Sequence, residues 1–171
     1  MIFLSGVHGV GKSYFCEQIK RKIDIETYTA SELISAEKEE FFSYDKHSKD
    51  IDDNQQHLLN AVRKLNSKEG KYLLDGHFCL LNENGQITRI NSDTFINLSP
   101  SAIILLTEAP EVIVGRRKTR DNVNCSVDEI TVFQNEEIAY AKEIANLLSV
   151  KLIISHGVDD LNAIVDFIRN L

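Results

Sequence analysis

The sequence predicts an α/β protein, a mostly parallel sheet with helices on both faces, and three observations carry that expectation. Strand-like runs alternate with helical periodicity from one end of the chain to the other. The run Ala102 to Leu106 (AIILL) is apolar without alternation, as in a strand buried on both faces. The first apolar run, Ile2-Phe3-Leu4, leads through a glycine-rich turn into a helical stripe of Phe15, Ile19 and Ile23. A single domain over residues 1–171 is expected, a three-layer α/β/α sandwich with five strands in its main sheet.

The elements follow in order. A helix is expected from about Lys12 to Lys22, then a β-branched and aromatic strand from Ile25 to Thr29. Ala30 opens a helix that decays into a charged, irregular stretch from Glu37 to Lys49. The next helix starts near Asp52, with Leu58, Val62 and Leu65 on its buried stripe. Lys71 to Asp75 reads as a third strand. Phe78 to Ile90, with Asn84-Gly85 between two semi-apolar runs, reads as a β-hairpin excursion. A short helix over Ser92 to Leu98 leads through Pro100 into the 102–106 strand. Pro110 opens a helix, where its missing N–H costs nothing, and that helix ends in the basic run Arg116-Arg117-Lys118-Thr119-Arg120. Ser126 and Glu129 form a capping box for a helix to about Ser149, with Ile130, Phe133, Ala141, Ile144 and Leu148 on its stripe. Val150 to Ser155 is the last strand. Leu161, Ile164, Val165 and Ile168 mark the closing helix.

Composition bounds the function. With 43% hydrophobic residues and mixed charge, the 171-residue chain has the means to bury a core. A net charge of −7 argues against broad binding to nucleic acid. No apolar run approaches the ~20 residues that cross a bilayer, and the chain opens on a strand, so neither a membrane anchor nor a signal peptide is expected. Cys16, Cys79 and Cys125 are scattered, without metal spacing, and read as free thiols of a cytoplasmic protein.

The chemistry concentrates at the first turn. Gly6-Val7-His8-Gly9-Val10-Gly11-Lys12-Ser13 fills every fixed position of the phosphate-loop pattern G-x-x-x-x-G-K-[ST]. Glycines allow the backbone to curl so that successive N–H groups face phosphate oxygens, and the following helix adds the positive end of its dipole. Lys12 suits the β- and γ-phosphates of ATP, and the Ser13 hydroxyl suits Mg²⁺. His8, Val10 and Tyr14 belong to the same nucleotide-contacting stretch.

Asp75 falls at the carboxyl end of a strand, where open α/β sheets collect ligands; there it can serve Mg²⁺ through water or order an acceptor. Arg116, Arg117 and Arg120 lie on a short segment, a lid over about 116–126, suited to stabilising charge on a transferring phosphoryl group. No N-K-x-D guanine-reading motif occurs, no D-x-x-G follows the third strand, and no transporter-type ATPase signature is present, so a small kinase is the expected class.

On these residues the chain resembles the nucleoside monophosphate kinases, most closely the archaeal-type and nuclear-type adenylate kinases. GVHGVGKS, YTASEL, YLLDGH, SPSAIILLTEAPEVIVGRRKTRD, SVDE and LIISHGVDD carry the likeness over nearly the whole length. The resemblance implies that Gly6, Gly9 and Gly11 to Ser13 hold ATP and Mg²⁺, and that His156 and Gly157 border the adenine. It further implies that Ser31, with Arg63 as an anion partner, lies on the acceptor side, a region of about 30–63. His77 stands where the archaeal-type proteins carry a histidine; facing the acceptor and a structural hydrogen bond are equal readings. AMP-like nucleoside monophosphates are the leading acceptor, and a metabolite hydroxyl with Asp75 as general base is the alternative. A third reading is a nucleotide-gated ATPase that engages a protein partner through its lid and the 37–53 stretch, with Glu39 to Asp45 as the contact surface.

Overall fold

The computed structural model describes residues 1–41, 51–66 and 70–171, with the backbone alone at 39–41 and 51–53. Five strands, β1 (Ile2–Ser5), β2 (Glu26–Thr29), β3 (Tyr72–Asp75), β6 (Ala102–Leu106) and β7 (Lys151–Ser155), form a sheet in the order β2-β3-β1-β6-β7. Every pairing in it is parallel. β4 (Cys79–Leu81) and β5 (Ile87–Arg89) form the separate antiparallel hairpin. The α/β sandwich with five strands and a hairpin excursion is therefore the architecture of the molecule.

The seven α-helices among the described residues are α1 (Lys12–Lys20), α2 (Ala30–Phe41), α3 (Ile51–Asn66), α4 (Ser92–Leu98), α5 (Pro110–Arg116), α6 (Val127–Leu148) and α7 (Leu161–Arg169). α1 packs on α7, while α6 packs on β6 and β7 with α4 beside it. Parallel strands buried between helix layers need apolar residues at successive positions. β1 and β6 supply them, with Ile2, Phe3, Leu4 and all of Ala102–Leu106 buried. Between the sheet and α6 lies an aromatic knot: Phe78 and Phe95 stand 5.1 and 5.5 Å from Phe3, centroid to centroid, and 4.7 Å from each other. Each such side chain contributes about 1.5–3 kcal/mol when taken fully out of water.

Two sequence expectations shift. α2 does not decay at Glu37 but runs to Phe41. Glu37 is buried and accepts from Lys64 Nζ of α3 at 2.8 Å, so a charged stripe that looks like an unravelling helix is the packed face of a helical pair. The long stripe of α6 also contains a carboxylate, Glu137, which is 1% exposed. The Glu39–Asp45 surface lies, but for the backbone of 39–41, outside the described residues. No helix among the described residues is long and apolar enough to cross a membrane.

Candidate functional site

All five parallel strands point their carboxyl ends at one cleft of about 1050 Å³. The phosphate loop leaves β1 at Ser5 and enters α1 at Lys12. Its glycines are required by geometry as well as by flexibility. Gly6 has φ +146°, and a Cβ there would meet the Leu106 carbonyl oxygen at 2.7 Å. Gly9 has φ +87°, and a Cβ would meet Arg117 Cγ at 2.8 Å. Such an L-residue would be both strained and blocked.

Lys12 is 8% exposed, unusual for an ammonium group. Its Nζ donates to the Gly6 carbonyl at 2.7 Å, lies 2.9 Å from His77 Nε2, and stands 3.7 Å from Asp75 Oδ1. Burial pushes Lys12 towards its neutral form and Asp75 upwards; each charge opposes the shift of the other. His77, between Asp75-Gly76 and the hairpin, is held well below the usual histidine range by burial, with Lys12 and His8 adding to the effect. Opposite the Lys12 ammonium, which can only donate, Nε2 is the accepting nitrogen. His8 lies tilted against it at 4.1 Å between ring centroids; the residue keeps an exposed face, but desolvation of its ring, with Lys12 and Arg117, pushes it down to about 4.

The predicted residues divide by position. His8, Gly9, Val10, Gly11, Lys12, Ser13 and Tyr14 line the cleft from the loop, with Tyr14 62% exposed at its mouth. Asp75 and His77 line its centre, and Ser31 the side next to β2. Ser31 is placed by a turn in which Thr29 Oγ1 accepts from the Glu32 N–H at 3.2 Å and caps α2. His156 and Gly157 close the opposite side, after β7, where the Thr107 hydroxyl meets His156 Nδ1 at 3.2 Å.

The arginines have three different settings. Arg116 sits on α5, its Nη1 donating to the Val10 carbonyl at 2.8 Å and its Nη2 to Glu108 at 3.0 Å, so it is fastened to the phosphate loop. Arg120 lines the cleft and forms a forked pair with Asp121 at 2.6 and 2.9 Å. Arg117 packs its stem against Gly9 and does not line the cleft. Instead of a loose segment, residues Arg117–Asp121 form one π-helical turn continuing α5. Arg63, expected as an anion partner on the acceptor side, is exposed on α3 and outside the cleft lining.

Sequence reasoning missed the cleft wall built by α3 and α4. Asn54, Gln55 and Leu58 of α3 and Thr94, Phe95 and Leu98 of α4 line it. The helical stripe that marks Leu58 as core could have pointed to the Asn54-Gln55 pair one turn earlier. A phosphate fits what is present: a curled glycine loop, a buried lysine and a helix amino end converge on one volume. Among the described residues no group of three or more His, Cys, Asp or Glu forms a metal cluster. Ser13 and Asp75, the two residues expected to serve Mg²⁺, both line the cleft, a sparse set of the kind that suits a metal held mainly by phosphates and water.

Fold and loop together define a P-loop protein with the fold of the small kinases. A family model described as AAA domain matches residues 5–134, most of the chain, and the protein belongs to that family. Among solved structures, the chain is similar to a gluconokinase from Sinorhizobium meliloti 1021, with TM-score 0.53 and 12% identity over 99% of this chain and 95% of that one. It is similar to a protein from Eubacterium ventriosum ATCC 27560, with TM-score 0.55 and 13% identity over 99% and 98%. A shikimate kinase from Bacteroides thetaiotaomicron aligns with TM-score 0.51 and 13% identity over 99% and 95%. At such identities the likeness is one of fold. No curated protein matches the chain.

Proposed function

We propose that this protein is an ATP-dependent kinase that transfers the γ-phosphoryl group to a small molecule. The observation that carries the reading is Lys12, buried under the phosphate loop and facing the same cleft as Asp75 and Arg116. The fold shared with a gluconokinase and a shikimate kinase supports it. Phosphoryl transfer asks little covalent work of a protein; positioning and charge neutralisation supply the rate. Lys12 is placed to leave Gly6 and His77 for phosphate oxygens, and Arg116 stands on the far side of the loop to share that charge. Arg120, held by Asp121 on the turn that continues α5, is the lid cation that faces the cleft. ATP brings the transferable phosphoryl group, with Mg²⁺ near Ser13 and Asp75 offsetting its charge. The His156-Gly157 edge is the side proposed for adenine.

The acceptor proposed first is a nucleoside monophosphate, supported by the sequence likeness to the adenylate kinases, with Ser31 and His77 on its side of the cleft. A specific observation favours a second acceptor class, a metabolite hydroxyl. Asp75 is desolvated, hence more basic than an ordinary carboxylate, and the described acceptor wall carries amides and hydroxyls in Asn54, Gln55 and Thr94. A cytoplasmic setting belongs to the same proposal. The test is a coupled assay of Mg-ATP turnover against a panel of nucleoside monophosphates, nucleosides and sugar acids, beside an acceptor-free control. We expect acceptor-dependent ADP formation that Lys12→Ala lowers by at least about 10²-fold. Equal turnover in the variant would refute the kinase reading.

A further inference from the structure

Glu137 has no part in the chemistry above, yet it is the most deeply buried carboxylate among the described residues. It occupies the slot on α6 between Phe133 and Tyr140, where helical spacing calls for an aliphatic side chain. A buried carboxylate is costly unless its oxygens are met by donors. Three donors meet it. Oε1 accepts from the Ser5 hydroxyl in a short contact and from the Phe78 N–H at 2.9 Å; Oε2 accepts from the Cys79 N–H at 2.7 Å. The two amides come from the bend where the chain leaves the sheet after Gly76, whose own N–H still bonds to Leu4.

These partners have a common meaning. The ammonium of Lys12 rests on two anchors, the Gly6 carbonyl and His77 Nε2. Ser5 is the residue next to the first anchor and Phe78 the residue next to the second. One carboxylate on a third element thus holds the chain beside both.

We infer that Glu137 is a positioning residue: by clamping Ser5 and the Phe78-Cys79 amides together, it sets the two anchors between which the phosphate-loop lysine is held. An aliphatic residue of similar size would fill the slot and leave both amides bare. Glutamine would fill it too, but has a single acceptor oxygen and must turn an NH₂ group towards an N–H or the hydroxyl. The bend carrying His77 then moves away from Lys12. The inference rests on the kinase reading only where it bears on ATP; the placement of His77 is independent of it.

The experiment compares wild-type protein with Glu137→Gln and Glu137→Asp, each labelled with ¹⁵N-histidine. His77 is assigned by its loss in His77→Asn, and Mg-ATP affinity is measured by calorimetry. Aspartate keeps the charge but is one methylene short of spanning both sides, so it tests the clamp if the glutamine variant does not fold. The expected result is a displaced His77 Nε2 resonance in either folded variant, with Mg-ATP affinity lower by about tenfold or more. A folded variant with a lower melting temperature but wild-type His77 resonance and affinity would overturn the inference, leaving Glu137 a satisfied core group. If wild-type protein binds no Mg-ATP, the kinase reading fails instead. The His77 resonance still decides the role of Glu137.

Discussion

A lysine with so little solvent contact stays useful only because its surroundings are set against neutralising it. Burial favours the uncharged amine, while Asp75 at 3.7 Å and, further off, Glu137 favour the ammonium. The histidines take the opposite part. His8 and His77 are both pushed towards the neutral imidazole, so neither competes with a phosphate-directed lysine by adding a charge to be screened. This has a measurable consequence for His8, which we expect to titrate near pH 4 in an NMR titration of its ring protons. Between that value and the ordinary 6.5, the unfolded chain binds a proton that folded His8 refuses. Its contribution to stability is therefore complete above pH 6.5 and is lost as the pH falls towards 4. His8→Asn should flatten that part of the acid limb in denaturant titrations; an unchanged limb would contradict the shift.

At the scale of elements, the best-read pieces were those with local punctuation. The short helix read over Ser92 to Leu98 is α4 with those bounds, capped by Asn91 through the Asp93 N–H at 2.9 Å and ended at Ser99, just before Pro100. The capping box of α6 is likewise formed as its S-x-x-E spacing foretold. Ser126→Ala should cost about 1 kcal/mol and lower the melting temperature by roughly 2–4 °C in a chain of this size, with Mg-ATP affinity unchanged. Glycine 9 makes the contrary case, in which an element and the site share one residue. Gly9→Ala must adopt φ +87° and displace the stem of Arg117, so we expect a loss of about 1–3 kcal/mol in denaturant unfolding. Weaker Mg-ATP binding should accompany it. What the sequence hid were contacts between distant segments. The end of α2 depends on Glu37 meeting Lys64, and Glu137 reads as a flaw in an apolar stripe until the bare amides of Phe78 and Cys79 are placed beside it. Arg63 is the converse case: a basic residue near a predicted site carries no mark of which face it occupies, and it stands on the exposed face of α3 outside the cleft lining.

For the whole molecule, the fold class and the phosphate loop were legible because both rest on local pattern, whereas the cleft wall of α3 and α4 joins residues far apart in sequence. The two sides of the cleft belong to opposite edges of one sheet: Thr29 and Ser31 at the β2 edge, His156 at the β7 edge. Binding in such a cleft links to global stability. At a concentration of Mg-ATP one hundred times its dissociation constant, stabilisation should reach about 2.7 kcal/mol. Differential scanning calorimetry should show that upward shift in the wild type and none in Lys12→Ala.

The order of the strands also governs how the protein is born. β1 is made first yet lies at the centre of the sheet, bonded on one side to residues 73–75 and on the other to residues 102–105. A ribosome therefore delivers the phosphate loop long before either neighbouring strand exists to hold it. Until synthesis passes Asp75 both edges of that apolar strand are bare, and until it passes Leu106 one edge still is, a stretch that chaperones would be suited to shield.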